Sequence, residues 1–381
     1  MAKGKVARTE VSPARSRQVL VLQGGGALGS YQAGIYEALH EGELEPDWVV
    51  GISIGAINAA LIAGNPPERR IARLRAFWEE VSSSFGTRWA PLEAYRGFFN
   101  QMSATLALAC GVPGFFEPRV LSWFGSGNIP SILSIYDTRQ LRRTLERLID
   151  FDYLNDGRTR LTVGATEITT GNSVIFDSTR QKIGPEHIMA SGALPPGLPP
   201  IEIEGSWYWD GGVVSNTPLQ FVLNEAESNG DLVIYQVDLF SSRGPLPRTM
   251  LELNEREKDI RYSSRTRFNT DASMKAHKLK VALKSVLDAV PQDFGPVEDI
   301  EYLRASACEN SVVVIQLIYR KRPYEGGSKD FEFSRPTMIE HWTAGMTDGT
   351  RFVDEHHQLM ARPRALGVTV IDPGMRDDRG A

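Results

Sequence analysis

Three short stretches of this chain hold residue types that can do chemistry. Gly51-Ile52-Ser53-Ile54-Gly55 sets a serine between two glycines, after an apolar strand and before an apolar helix. In so tight a bend the glycines remove side chains that would clash, and the hydroxyl of Ser53 is left exposed. It also stands at the positive end of the following helix, where developing negative charge is favoured. That suits a nucleophile, and the bare pattern also fits a packing turn. Gly24-Gly25-Gly26-Ala27-Leu28-Gly29 follows the first strand. Acyl transfer needs backbone N–H groups aimed at a tetrahedral oxyanion with no side chain in the way, and a run of three glycines supplies them. The same stretch fits the dinucleotide fingerprint Gly24-x-Gly26-x-x-Gly29, with Glu43 or Glu45 about 20 residues on as a ribose-binding acid. The third stretch, Trp207-Tyr208-Trp209-Asp210-Gly211-Gly212, puts one carboxylate between aromatic residues and two glycines. Burial against aromatic surface disfavours the charged form and raises the Asp210 pKa toward useful base strength, although Asp-Gly-Gly is also an ordinary turn.

Regular elements must carry these residues. Gln18 to Leu22 predicts a buried strand running into the glycine turn. From Ala27 to His40, Leu28, Tyr31, Ile35, Ala38 and Leu39 recur at helical spacing. Trp48 to Ile52 predicts a second strand, and Ala56 to Ala63 a helix that must be buried. Strand, turn and helix in succession, twice over, point to an α/β fold with a parallel sheet covered on both faces. Gly24 and Ser53 then stand at the carboxyl ends of consecutive strands, on one edge of the sheet. Further helices are predicted over Pro66–Val81, Asp137–Ile149 with Thr138 as N-cap, Glu186–Ala193, Leu251–Ala289 and Arg335–Met360. Further strands are predicted over Arg160–Glu167, Val174–Asp177, Leu232–Leu239 and Val312–Tyr319. Ser82 to Pro130 is rich in aromatics, Gly and Pro without a clean period. It reads as an insertion or cap whose aromatic residues, from Phe85 to Phe124, either fill a core or face lipid.

The whole composition is that of a globular protein, with 381 residues, 41% hydrophobic and 23% charged. A net charge of −5 gives no reason to expect nucleic acid as a partner. Cys110 and Cys308 stand far apart and read as two free, buried thiols. No apolar run is long enough to span a bilayer. Residues 1–17 are basic and lack the apolar core of a secretory signal, so they read as a disordered tail and the compartment as cytoplasmic. No Cys cluster and no His-x-x-x-His occurs, so no metal and no cofactor are expected.

The three stretches occur in the order and approximate spacing of the patatin-like phospholipase family. Ala190 to Pro200 is similar to that family's segment before its aspartate, and Asn216-x-Pro218 to the segment after it. The resemblance covers Gln18 to Pro218. It implies a three-layer α/β/α fold around a central, mostly parallel sheet, a Ser-Asp dyad without histidine, and lipid acyl hydrolase activity. By position it makes Ser53 the nucleophile, Asp210 the base, and the amides of Gly24, Gly25 and Gly26 the oxyanion hole. Gly29, Gly51, Gly55, Gly211 and Gly212 complete the motifs. The implied partner is a lipid or other acyl ester, with peripheral membrane contact. Residues 18–218 are then the catalytic domain. Residues 219–381 form a C-terminal extension of strands and helices that complete or pack on the core. Within it, Phe331 to Trp342 resembles an extension of some bacterial members. One departure stands out: many relatives carry Arg or Lys where this chain has Leu28. That removes a candidate phosphate anchor and favours uncharged esters.

Competing readings remain open at this level. A Ser-acid-His triad would need a histidine after the acid, and His277, His341, His356 and His357 all follow Asp210. Each falls in a charged helical stretch where a solvated histidine is expected, and His187 reads as a structural residue or helix cap. Lys275, Lys278, Lys280 and Lys284 read as a solvated helix face. Besides lipid ester cleavage, the functions in play are a carboxylesterase or thioesterase for short or soluble acyl esters, and a non-catalytic or dinucleotide-binding protein.

Overall fold

Val19 to Leu22 is apolar at every position, so it is stable only where both sides are covered. In the computed structural model it forms β1 (Arg17–Leu22), buried from Val19 onward. The structure describes residues 16–82, 96–119, 134–229, 231–289, 297–308, 310–320, 329–361 and 367–374. Residues 1–15 of the expected tail lie outside these ranges, as do Phe85, Trp89, Tyr95, Trp123 and Phe124.

Eight further strands join β1: β2 (Trp48–Ile52), β3 (Arg160–Glu167), β4 (Ser173–Asp177), β5 (Ile201–Ile203), β6 (Ser206–Asp210), β7 (Leu232–Asp238), β8 (Val312–Ile318) and β9 (Val368–Ile371). The order β9-β8-β7-β1-β2-β3 is parallel throughout; β4 and β6 pair antiparallel with β3, and β5 pairs antiparallel with β6. Positions 162–164 of β3 pair with β2 and β4 at once, and positions 165–166 pair with β4 and β6 at once. A strand has two edges only, so β2 and β6 lie end to end along one edge of β3. The short strands β5 and β9, and this arrangement, had no clear signal in the sequence.

Successive side chains on a strand point to opposite faces. Leu20 and Leu22 join a cluster on one face with α1 (Gly29–Glu41), α2 (Ile54–Ala63), α3 (Pro67–Val81) and α9 (Arg335–Ala361). Val19 and Val21 join a second cluster with Leu219, Val222 and Leu223 of α7 (Leu219–Asn229). Two apolar faces, each covered by helices, give the three-layer α/β/α architecture. Helices α5 (Arg139–Leu148), α6 (Pro185–Ser191) and α8 (Met250–Leu287) match the predicted segments. At α5 the cap differs from expectation. Asp137 Oδ1 accepts the Arg139 N–H at 2.8 Å, and Thr138 makes no side-chain cap bond.

The aromatic stretch holds a helix that its sequence hid, α4 (Arg96–Cys110). Beyond it, Phe115 and Phe116 are buried, whereas Phe98 on α4 is 71% exposed. Cys308 is buried but Cys110 is exposed, which corrects the expectation of two buried thiols. Among the described residues no helix is long and apolar enough to cross a membrane.

Helix α1 is buried on all sides from Gly29 to Leu39, because α9 crosses it at backbone contact. A Cβ on Gly34 would stand 2.1 Å from the Trp342 carbonyl oxygen, and one on Gly345 would stand 2.1 Å from that of Tyr31. Neither partner is a movable side-chain end. Gly34→Ala is therefore expected to cost about 1–3 kcal/mol or more, read as a lower urea midpoint at unchanged m-value.

Candidate active site

Strand β2 ends at Ile52, and Ser53 bends the chain into α2 at φ 56° and ψ −124°. That conformation is costly for any residue with a Cβ and persists only where the surroundings impose it. They do so here. A Cβ on Gly51 would lie 2.3 Å from the Gly55 carbonyl oxygen, and one on Gly55 would lie 2.4 Å from that of Leu22. The bend is thus folded on itself and pressed against the end of β1. The Ser53 N–H donates to Ser191, to the carbonyl at 3.1 Å and the hydroxyl at 3.0 Å. Ser191 Oγ donates to the Gly164 carbonyl at 2.6 Å, which fixes α6 and β3 to the same bend.

Asp210 closes β6 opposite Ala165, one step past the Ile52–Gly164 pair. The shared edge of β3 therefore brings Asp210 to Ser53 by register. Its N–H donates to the Ala193 carbonyl at 2.9 Å, and its carbonyl accepts the Thr166 hydroxyl at 3.0 Å. Its carboxyl accepts the Gly212 N–H at 2.7 Å and the Ser53 hydroxyl. Asp210 is 2% exposed, and burial pushes it up to about 6 against the pull of those two hydrogen bonds. Gly211 is required by close approach, since its Cβ would meet the Gly164 carbonyl oxygen at 2.6 Å. A Cβ on Gly212 would crowd Asn216 Oδ1 at 2.9 Å.

The glycine turn lies beside them: a Cβ on Gly24 would stand 3.1 Å from Ser53 Cβ. Its three amides are not equivalent. The Gly24 N–H donates to the Asn216 carbonyl at 3.2 Å, and Asn216 Nδ2 donates back to the Gly24 carbonyl at 2.9 Å. Gly24 is therefore tied to the segment after the aspartate, and its amide is spent, contrary to the expectation of three donors. The Gly25 and Gly26 N–H groups make no hydrogen bond among the described residues. Gly26 has φ +57°, and Gly29 lets the loop close onto Ile54 of α2, where a Cβ would meet Cγ1 at 2.6 Å.

Several supporting residues escaped the sequence reading. Asn216 and Ser191 fall inside the stretches that carry the family resemblance. A buried polar chain supports the loop from below. Gln32 Nε2 donates to the Gln23 carbonyl at 2.6 Å, Asn58 Nδ2 to Gln32 Oε1 at 3.0 Å, and Trp78 Nε1 to Asn58 Oδ1 at 3.0 Å. Gln23 Oε1 accepts the Leu239 N–H at 2.6 Å. The available signal was Asn58, a lone amide inside the otherwise apolar Ile54–Ala63.

Other expectations are corrected by position. Glu43 and Glu45 precede β2, at the opposite end of the sheet from the glycine turn, and Glu45 pairs with Arg70 at 2.7 Å. Neither of these two acids stands where the dinucleotide reading needs one. Leu28 is fully buried in the core, so its place offers no contact to a head group, and its type reflects packing. His187 Nδ1 accepts the Gly184 N–H at 3.0 Å and caps α6. His277 and His341 are buried rather than solvated, the first bonded to the Asn310 carbonyl at 2.9 Å and the second edge-on to Tyr319. His356 lies edge-on to Phe352 and His357 is exposed. A cavity of about 950 Å³ between α3 and α9, lined by Arg75, Trp78, Met338 and Trp342, includes neither Ser53 nor Asp210. Among the described residues no three His, Cys, Asp or Glu are grouped as metal ligands.

The family signature described as patatin-like phospholipase matches residues 20–223, and one described as patatin phospholipase matches residues 260–365. Patatin-like phospholipase domain-containing protein 7 of Mus musculus is 29% identical over 224 residues, 58% of this chain. This chain spans 13% of that mouse protein's length. Two solved structures are remotely similar. VipD from Legionella pneumophila has 14% identity and a TM-score of 0.38, covering 90% of this chain and 67% of that one. Human GIVD cytosolic phospholipase A2 has 12% identity and a TM-score of 0.39, covering 91% and 60%. With its first signature spanning more than half the sequence, the chain belongs to the patatin-like phospholipase family.

Proposed function

We propose that the protein is a serine acyl hydrolase that cleaves lipid carboxylic esters through a Ser53–Asp210 dyad and an acyl-enzyme. The observation that carries this reading is the hydrogen bond from the strained, edge-mounted Ser53 to a buried carboxyl raised to about 6. Asp210 takes the Ser53 proton as the oxygen attacks the ester carbonyl carbon, and the Gly25 and Gly26 amides receive the oxyanion. Collapse breaks the ester C–O bond, and the alcohol leaves with the proton from Asp210. Water then attacks the acyl-Ser53, giving its proton to Asp210, which returns it to Ser53 as the acid departs. In this reading residues 18–218 hold every reacting group, and residues 219–381 complete the sheet and cover it.

A lipid substrate with peripheral membrane contact is favoured over a soluble ester by α4. Phe98, Met102 and Leu106 recur every fourth residue and are exposed, and the helix carries no charge after Arg96. The cost of exposing such a stripe to water is recovered against a lipid surface.

Ser53→Ala and Asp210→Asn are each expected to lower turnover of a medium-chain ester by about a thousandfold or more, and the double variant by little more than either. Loss of fluorophosphonate labelling at Ser53 accompanies the first. Losses that multiply in the double variant would contradict a dyad.

The raised Asp210 pKa has two further consequences. The base must be ionised, so kcat/KM rises with pH through an apparent pKa of about 6 and is level above it. Folding works against that ionisation. The folded value exceeds the unfolded one, so the contribution of Asp210 to stability is fully present below about pH 4 and is lost as pH climbs to about 6. Asp210→Asn removes this cost. It is expected to be more stable than the parent by up to about 3 kcal/mol at pH 8, with no difference near pH 4, read from urea midpoints. Asp238, which burial pushes to about 7, titrates in both proteins and cancels from the comparison.

With Asp210 as sole base, His277→Asn, His341→Gln, His356→Gln and His357→Gln should each keep turnover per folded molecule within about tenfold, or about 1.4 kcal/mol in the barrier. A larger loss at any one of them would replace the dyad by a triad.

A further inference from the structure

Lys329–Phe331, in the C-terminal region, forms a single turn that lies directly on the glycine loop. A Cβ on Gly26 would stand 2.1 Å from the Asp330 carbonyl oxygen, so the two backbones touch with no room for a side chain or water. This turn is held by one face of α8. Lys258 Nζ reaches both carboxyl oxygens of Asp330 at 2.6 Å. Lys329 Nζ reaches Asp259 Oδ1 at 2.7 Å and lies 3.9 Å from Glu255 Oε1. Glu255, Lys258 and Asp259 are spaced i, i+3 and i+4, one turn of one helix face. The helix thus presents minus, plus, minus to a turn that presents plus, minus.

These charges are deeply placed: Lys329 is 5% exposed, Glu255 4% and Asp259 8%. Ion pairs at that depth add little net stability over apolar side chains of the same size, because desolvation offsets their attraction. What they add is register. Adjacent opposite charges on both elements reject a shift of one residue, which would set like charges together. The other side of the loop is reached as well. Lys329 Nζ lies 5.5 Å from the centre of the Phe240 ring, and a Cβ on Gly25 would stand 3.3 Å from that ring.

We infer that Lys329 and Asp330, docked on α8, are positioning residues that fix the Gly25 and Gly26 amides for the oxyanion. This inference rests on the oxyanion role given above, and it assigns to the C-terminal region a part in the reaction through contact with the glycine loop.

The test compares Lys258→Met and Lys258→Arg with the parent, using Glu257→Gln as control, since Glu257 pairs with Arg261 on the exposed side of α8. Two readouts are taken: hydrogen exchange of the bonded amides of Gly24, Leu28 and Gly29, and kcat with KM on a medium-chain ester. In Lys258→Met exchange should quicken by about tenfold or more. Its kcat should fall by about tenfold to a hundredfold, less than outright loss of an oxyanion donor, with KM changed by no more than about threefold. Lys258→Arg should restore both, and Glu257→Gln should match the parent. Unchanged exchange in Lys258→Met overturns the inference whatever the activity does. A rise in KM at constant kcat, or a loss that Lys258→Arg does not restore, also overturns it. A parent that neither turns over the ester nor labels at Ser53 overturns the functional reading instead, and that is seen before any variant is made.

Discussion

Two strands of opposite direction share one edge of β3, and everything else at the site depends on their meeting. Strand β3 is eight residues long and β2 only five, so β3 reaches past the end of β2 and offers its last positions to β6. Ser53 is the first residue after one strand and Asp210 the last of the other. Their approach is set by the hydrogen-bond register of β3 and not by the wandering of a loop. A slip of one residue in β6 would turn the carboxyl to the other face of the sheet. Gly164 marks the junction: its carbonyl receives Ser191, and only a glycine at 211 can pass so close to it.

The junction is assembled from conformations and charges that each work against folding. Ser53 has a positive φ, and Asp210 is deprived of water beside the same bend. Neither persists alone; each is over-determined by bonds from several elements, with Ser191, Ala193, Thr166 and Gly212 all anchoring one or the other. The apolar clusters on the two sheet faces supply the stability against which this local cost is set.

Much of this was legible in the residues. The continuous apolar runs of β1 and β2, each broken by glycine, predicted buried parallel strands and set the glycine turn and Ser53 on one edge. The order of the three motifs located Asp210 in the chain. What could not be read is instructive. Periodicity reports which face is buried, not which partner covers it, so the abutment of β2 and β6 was invisible. Gly24 is chemically identical to Gly25 and Gly26, and only the tertiary pairing with Asn216 shows that its amide is engaged. Leu28 looked like a missing head-group anchor because a motif gives identity without direction, and its side chain points into the core. Helix α4 was hidden because its apolar residues face outward, which inverts the pattern on which helix prediction rests.

The placement of β7 beside β1 has a consequence in time. Arg17 pairs with Leu232 and Leu22 with Val237, so the partner for that edge of β1 is made roughly 200 residues later. At ordinary rates of synthesis, on the order of 10–40 s pass during which β1 has emerged with one row of N–H and C=O groups unmatched. A short strand with four successive apolar residues and an open edge is a template for the wrong neighbour, including the β1 of another nascent chain. Until β7 arrives, that edge of β1 is open to mispairing, a hazard set by the order of synthesis and not by the contacts of the finished fold.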